Sequence, residues 1–154
     1  MSIQTVKFRV DGPPKGKGRP RFTSKGFAYT PPETKEYEKR IQQAAWVQMA
    51  LQKLEASTRR CSVIIEAVME IPKSYSKKKT LDCQSGVIVP PRPDIDNIVK
   101  AALDGCNEVV FKDDAQVWHI SAFKKYTQIG QIPHLAIKVQ WDEPSQCMSN
   151  LSHT

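Results

Sequence analysis

Residues 93–116, PDIDNIVKAALDGCNEVVFKDDAQ, concentrate acidic side chains within an otherwise basic chain of 154 residues. The stretch holds five aspartates, with Lys100 among them. Carboxylates this close together raise one another's pKa unless a cation neutralises them. Oxygen ligands of this kind suit hard divalent ions such as Mg²⁺ and Mn²⁺, so the stretch predicts a metal site. Its aspartates are Asp94, Asp96, Asp104, Asp113 and Asp114.

A helix that opens at Asp96 would place the polar residues of this stretch on one side. With about 100° of rotation per residue, Asn97, Lys100 and Asp104 all lie within roughly 100° of Asp96. We therefore predict an amphipathic helix whose polar face carries two carboxylates, an amide and an ammonium, with Asp94 directly ahead of it. The apolar side chains that fall on the opposite, core-facing side are Ile98, Val99, Ala102, Leu103 and Cys106.

Each aspartate also has a purely structural explanation when it is taken alone. Asp94 or Asp96 could cap the helix, and Asp113 and Asp114 could form the turn of a hairpin. The set as a whole, with a lysine in register, favours a metal site over these separate explanations.

The chemistry that suits this combination of groups is phosphodiester hydrolysis. Two metal ions held by shared carboxylates can activate a water and stabilise the departing oxygen of an in-line displacement. Lys100 can offset the charge that grows on the phosphoryl oxygens. The formal net charge of the whole chain is +7, which indicates a polyanion as partner. A basic surface around an acidic, metal-binding centre is the charge pattern of a nuclease.

Two basic segments are candidates for the surrounding surface. Residues 13–29 hold five cations and no acid, and their Pro and Gly content predicts a flexible loop. Aromatic side chains among those cations can stack on unpaired bases or fold back onto the core. Residues 72–82 add four lysines, for which phosphate contact and a solubilising patch are equally good interpretations. The predicted DNA-contacting residues are Lys15, Lys17, Arg19, Arg21, Phe22, Lys25, Lys73, Lys77, Lys78 and Lys79.

Hydrophobic periodicity predicts the elements that must position these residues. Apolar side chains repeat at i+3 and i+4 in a helix that begins near Thr30 or Thr34 and runs to about Glu55. A short helix opened by Ser74 or Ser76 is expected in the second basic segment. Alternating or continuous apolar runs predict strands at residues 3–10, 61–71, 115–126 and 134–141.

The order β-α-β-α-β-β describes an α+β fold, a small mixed sheet of about four strands with two main helices. The length predicts a single domain over residues 1–141, and the polar residues 142–154 are expected to form a disordered tail. The four cysteines lack a metal-binding or paired spacing. With no signal-peptide pattern and no membrane-spanning apolar run, we expect a cytoplasmic protein without a membrane partner, associated with the nucleoid when bound to DNA.

The run RPDIDNIVKAALDG…FKDDAQV closely resembles the RusA-type crossover-junction endodeoxyribonucleases, whose signature reads approximately PDxDNxxKxxxDxL…DDxQ. GPPKGKGRPRFT and YTPPETKEYE are similar to the N-terminal segment of many members. The resemblance covers about residues 5–141 and is specific at its start and over 92–117. Two features depart from the family pattern. Cys106 stands where a leucine is usual, and residues 72–90 look like an insertion.

The resemblance implies a Mg²⁺-dependent homodimer, with Mn²⁺ as a substitute, that resolves four-way (Holliday) junctions in branched DNA by paired symmetric nicks during recombination and repair. Position by position, it implies that Asp94, Asp96 and Asp114 are the metal-binding catalytic acids. It also implies that Lys100 is the active-site lysine. The supporting residues are Asn97, Asp104 and Asp113.

Two other functions fit the same residues. A basic protein that binds junctions or single strands, with structural aspartates, would bind DNA without cutting it. A metal-dependent nuclease of another specificity would cut flaps or RNA instead. The nuclease hypotheses require Asp114, on a separate element, to come close enough to Asp94 and Asp96 to share a cation.

Overall fold

The fold is seen in a computed structural model that describes residues 2–143. Its strands and helices follow the predicted α+β order, with a few short elements added between them. The strands are β1 (Ser2–Asp11), β2 (Arg21–Phe22), β3 (Ala28–Tyr29), β4 (Cys61–Met69), β5 (Val117–Tyr126) and β6 (His134–Glu143). The helices are α1 (Pro32–Leu51), α2 (Lys77–Gln84), α3 (Ile95–Cys106) and a 3₁₀ helix (Asp114–Gln116).

A four-stranded mixed sheet in the order β1-β6-β4-β5 forms the centre of the domain. β6 pairs antiparallel with both β1 and β4, whereas β4 and β5 run parallel. Parallel neighbours need a long crossover connection, and here the crossover contains α2 and α3. The candidate acidic helix therefore lies in the connection that enters β5. The prediction of a small mixed sheet of about four strands is confirmed.

Helices α1 and α3 cover one face of the sheet because their apolar sides share its core. Val6, Phe8 and Val10 of β1 are buried there, at the two-residue period of a strand. Ile41 of α1 and Ile98 of α3 are fully buried in the same cluster. Gly105 lets the two helices approach closely, since a Cβ at that position would lie 2.4 Å from Cγ2 of Ile41. This contact fixes α3, and with it the acidic face.

The C-terminal end of α1 differs from the prediction. The helix ends at Leu51 instead of continuing to about Glu55. Lys53 adopts a φ of 56°, in the left-handed region that a right-handed helix cannot contain. Helix-forming side chains continue past this point, which is why periodicity alone placed the end too late.

The start of α1 also uses a different residue from those predicted. Pro31 occupies the N-cap position and no side chain caps the helix. Thr34 is buried, and its Oγ1 accepts a hydrogen bond of 3.0 Å from the backbone N–H of Gly18. The threonine therefore holds the preceding basic segment in place instead of capping its own helix.

The predicted flexible loop contains a small hairpin of β2 and β3. Gly26, at a φ of 85°, forms the turn together with hydrogen bonds to Thr23. Phe22 and Phe27 are 70% and 69% exposed. The alternative that the aromatic side chains of this loop fold back onto the core is thus wrong for these two.

The last strand is longer than predicted and changes the expected tail. β6 continues to Glu143, with Asp142 paired to Ile3 and Glu143 paired to Ser2. The first two residues of the predicted tail therefore belong to the sheet, and residues 144–154 lie outside the described part of the chain. Between residues 2 and 143, no helix combines the length and the apolar character needed to cross a membrane.

Candidate active site

The first turn of α3 presents two exposed carboxylates. The helix begins at Ile95, one residue before the predicted start, so Asp94 occupies the N-cap position. Its side chain makes no capping hydrogen bond, and Asp96 follows in the first turn. Neither aspartate forms an ion pair with another described residue. Asp94 therefore has the position of a capping residue but not the side-chain hydrogen bond of one. Both carboxylates are available to a ligand.

The second acidic pair lies at the start of the 3₁₀ helix that enters β5 and not in a hairpin turn, with Asp113 at the N-cap position and Asp114 as the first helical residue. Gln116 fixes this helix in place. Its Oε1 accepts a hydrogen bond of 3.0 Å from the backbone of Asp113, and its Nε2 donates to the carbonyls of Ser57 (2.8 Å) and Arg59 (2.7 Å). Sequence reasoning included Gln116 in the family signature but gave it no role. The structure shows it anchoring the turn that carries Asp114.

Electrostatic repulsion is concentrated at Asp114. A hydrogen bond with the carboxyl group of Asp113 raises the pKa of Asp114, and partial burial and the charges of Asp113 and Asp104 raise it further. Asp104 lies on α3, about eight residues and therefore roughly 12 Å along the helix from Asp96. The structure thus places Asp104 and Asp113 near enough to Asp114 for their charges to raise its pKa.

The predicted grouping of Asp94, Asp96 and Asp114 around one cation stays a prediction. In the part of the chain that the structure describes, no three acidic, histidine or cysteine side chains form a group that could hold a metal ion by themselves. Mg²⁺ keeps several waters and is bound through one or two carboxylates together with substrate phosphates. Asp94 and Asp96, both exposed at the start of one helix, fit that donor set together with the acidic pair on the next element.

Two lysines lie close to these acids. Lys100 is exposed and forms no ion pair with the other described residues, as its predicted role requires. Lys124, which sequence reasoning missed, is half-buried on β5 and donates a hydrogen bond of 3.3 Å to the carbonyl of Pro93, next to Asp94. The sequence contained a feature that could have identified Lys124. Lys124 interrupts the strand face on which Ala122 and Tyr126 pack against the core.

Most of the predicted DNA-contacting residues lie on the surface. Arg21 pairs with Glu33 at 3.4 Å, and Phe22 is exposed. The ammonium of Lys79 lies 3.9 Å from the centre of the Tyr75 ring, on a helix α2 capped by Ser76 as one of the predicted alternatives. The predicted cations that are exposed without an ion pair to the described residues are Lys15, Arg19, Lys25, Lys73, Lys77 and Lys78.

Lys17 differs from these cations because it points into the protein. Its ammonium donates to Oδ2 of Asp104 and lies 3.5 Å from Oε1 of Glu38. The hydrogen bond to Asp104 raises the pKa of Lys17, so the ammonium stays protonated at neutral pH. Glu38 was missed by sequence reasoning because it resembles the exposed acids of α1. A phosphate-binding role for Lys17 would require this arrangement to break.

The raised pKa of Asp114 leads to a prediction about the metal-free protein. Folding raises the pKa of this carboxyl, so ionising it costs more free energy in the folded than in the unfolded chain. The folded state is therefore destabilised at pH values above the raised pKa, and it is not destabilised at pH values below the pKa of the unfolded chain. Asp114→Asn should raise the Tm in EDTA at pH 7 by about 1–2 °C, since exposed charge pairs are worth at most about 1 kcal/mol. The gain should vanish near pH 3. Differential scanning fluorimetry against pH measures it.

Glu55→Gln removes the same charge from an exposed site and serves as the control for that experiment. It should leave the Tm unchanged at both pH values. A lower Tm for Asp114→Asn at pH 7, or an equal gain at pH 3, would show that repulsion does not act at this turn.

Comparison with known proteins identifies the family of this chain. Residues 11–140 match the family model described as Endodeoxyribonuclease RusA. A Bacillus subtilis (strain 168) protein, named uncharacterized protein YqaN, is 32% identical over 132 residues, which cover 82% of this chain and 91% of that protein. The matched region contains β4 to β5, α1 and the whole acidic helix α3. The chain belongs to the RusA endodeoxyribonuclease family.

Proposed function

We propose that this protein is a Mg²⁺-dependent endonuclease that resolves four-way DNA junctions by paired nicks. The observation that carries the proposal is that the carboxylates of Asp94 and Asp96 are both exposed at the start of α3, and that Asp94 makes no capping hydrogen bond. Around them lie Lys100, which has no ion pair among the described residues, and a basic segment in which the cations other than Lys17 are exposed together with Phe22 and Phe27. Membership of an endodeoxyribonuclease family supports DNA as the substrate. The family resemblance favours branched DNA over plain duplex.

In this proposal Asp94 and Asp96 hold the metal, with Asp114 completing the donor set from the neighbouring element. When bound, Mg²⁺ supplies an activated water and stabilises negative charge at the cleaved phosphate. Lys100 contacts a non-bridging phosphoryl oxygen, where a positioned cation stabilises the developing charge. Lys124, fixed against the carbonyl of Pro93, orients the strand end beside the carboxylates. The exposed cations of the basic segments neutralise backbone phosphates.

The two-fold symmetry of a four-way junction favours a homodimer. Two equivalent cuts in opposing strands need two equivalent sites related by a two-fold axis. We therefore propose that two copies act on one junction. Light scattering during gel filtration measures the mass of the free protein, and a monomer both alone and on a junction would contradict this part of the proposal.

Cleavage of a synthetic mobile four-way junction, in Mg²⁺ and in EDTA, tests the function. Paired symmetric nicks that need the metal are expected. Competition with duplex, flap and RNA substrates of the same length tests specificity, and equal rates on plain duplex would refute junction selectivity. Tight junction binding without cutting under Mg²⁺ or Mn²⁺ would favour a non-catalytic binding protein.

Lys124→Met is expected to lower the rate of junction cleavage by about 10–100-fold, because the chain at Pro93 would no longer be held in position beside the catalytic carboxylates. Lys125→Met is a matched control. That neighbour pairs with Glu66 at 2.8 Å on the opposite face of the sheet. Single-turnover rates at saturating protein measure both variants. Equal losses in the two variants would indicate a general charge effect instead of a role for Lys124 in the site.

A further inference from the structure

Residues 12–20, which contain the first part of the basic segment, lie across α1 and α3, and we call them the strap. Backbone hydrogen bonds tie it down at Gly12 (2.8 Å to the carbonyl of Pro133) and at Lys17 (2.9 Å to the carbonyl of Asn97). Gly16 approaches α3 so closely that a Cβ there would lie 2.9 Å from the Cβ atoms of Asn97 and Pro93. The strap therefore covers the first turn of α3, next to the candidate catalytic carboxylates.

The side chains of the strap divide into two groups. Lys15 and Arg19 are exposed. Lys17, between them, is turned inward, with a side chain only 31% exposed. Its ammonium bridges Asp104 on α3 and Glu38 on α1, whose side chains are 28% and 21% exposed. Lys17 thus joins three elements of the fold through one cation.

Lys17 is the cation that pairs with Glu38 within the described residues. The Oε1 of Glu38 is buried and has no hydrogen-bond partner among the described residues, so the ammonium at 3.5 Å is the group that offsets its charge. A buried acceptor without such a partner is costly, and removal of the lysine would leave two neighbouring carboxylates to repel each other. Each member of the group therefore constrains the other two.

We infer that Glu38 and Asp104 are positioning residues that clamp the strap over α3 through Lys17, and that Lys17 is an anchor and not a phosphate contact. The clamp sets Lys15 and Arg19 in fixed positions at the edge of the candidate active site, where they are ready to bind DNA. Pre-ordering a segment that binds removes the entropic cost of ordering it in the complex. This inference rests on the proposed function, because it takes DNA as the ligand of the strap.

Two neutral substitutions on the same helix test the inference with opposite expected signs. Removing an acid makes a basic protein more positive, so simple electrostatics predicts tighter DNA binding for any Glu→Gln change. Glu36→Gln, at an exposed position without an ion pair to the described residues, should follow that rule. Glu38→Gln should instead weaken binding by about 3–10-fold, because the strap loses its clamp. The measurement is fluorescence anisotropy with a labelled four-way junction in Ca²⁺.

Hydrogen exchange of the free protein gives a readout that needs neither DNA nor cleavage. Lys17→Met and Glu38→Gln should each raise exchange at the backbone amides of Lys17 and Gly18 by about 10-fold, since these amides are hydrogen-bonded to Asn97 and Thr34 only while the strap stays closed. Lys25→Met removes a cation from the hairpin turn and should weaken DNA binding without changing exchange in the strap. The double variant Lys17→Met/Glu38→Gln should show no faster exchange in the strap than Lys17→Met alone, because substitutions of interacting residues have non-additive effects.

The outcomes separate the clamp from the proposed nuclease function. Tighter binding by Glu38→Gln, together with unchanged exchange in the strap, would overturn the clamp even if junction cleavage is confirmed. Raised exchange in Lys17→Met and Glu38→Gln, with weaker binding only in those variants and Lys25→Met, would establish it even if the bound DNA is never cut. Equal effects of Lys17→Met and Lys25→Met in both measurements would return Lys17 to the ordinary phosphate-binding cations.

Discussion

Asp96→Asn is expected to abolish cleavage of a four-way junction while leaving junction binding intact. The substitution keeps the shape of a side chain that is exposed in the first turn of α3 and removes its charge. A site that has lost a metal-binding carboxylate should cut at least about a thousand-fold more slowly, which corresponds to about 4 kcal/mol of transition-state stabilisation. Binding should hold or tighten, because one negative charge near the DNA phosphates is gone.

The control for this prediction is Asp142→Asn, which makes the same chemical change on β6 at an aspartate 4.0 Å from Arg60. Its cleavage rate should stay within about two-fold of the parent, as expected for a surface ion pair. Single-turnover cleavage and anisotropy are measured on each variant, with circular dichroism to check folding. An Asp96→Asn protein that is folded and cuts within about ten-fold of the parent would remove Asp96 from the site.

Gly105→Val is expected to lower the free energy of unfolding by about 3 kcal/mol or more. A Cβ at Gly105 would lie 2.4 Å from Cγ2 and 2.6 Å from Cβ of Ile41, and 3.3 Å from the carbonyl of Glu38. Helices α1 and α3 would have to separate, since both partners are buried and neither can rotate away. Urea unfolding gives the change in free energy.

Two further variants decide whether the contact with Ile41 is the cause. Ala50→Val places the same side chain at an exposed position of α1 and should cost less than about 1 kcal/mol. Ile41→Ala alone should cost about 2–5 kcal/mol through the cavity it leaves. The double variant Ile41→Ala/Gly105→Val should be less destabilised than the sum of the two single changes. A strictly additive double variant would mean that Gly105 is constrained by something other than Ile41.

Elements that depend on local periodicity could be predicted from the sequence. The apolar side of α3 follows from the spacing of Ile98, Ala102 and Cys106, and all three are buried. The four main strands likewise appear where alternation or continuous apolar runs placed them. Ends were less certain because they depend on single backbone angles, as Lys53 shows at the end of α1. The β2–β3 hairpin was missed because two-residue strands carry no periodic signal.

The candidate site was predictable in its composition and only partly in its arrangement. Residue type and spacing on one helix identified Asp94, Asp96 and Lys100, and the structure leaves all three exposed. The partners of Asp114 were not predictable. Its repulsion with Asp104 requires the 3₁₀ helix to lie near the far end of α3, which depends on the parallel pairing of β4 and β5. Helix periodicity contains no information about that pairing.

Sequence by itself determined which faces are apolar, which segments are basic and where the acids gather, since these depend on residues close together in the chain. Only the tertiary structure decided which charges meet. Lys17 stands among cations in the sequence, yet it binds Asp104, 87 positions away, and Lys124 reaches the carbonyl of Pro93, 31 positions away. The physical reason is that local spacing fixes the direction of a side chain around its own element, whereas its partner is set by the packing of α1, α3 and β5 against one shared core.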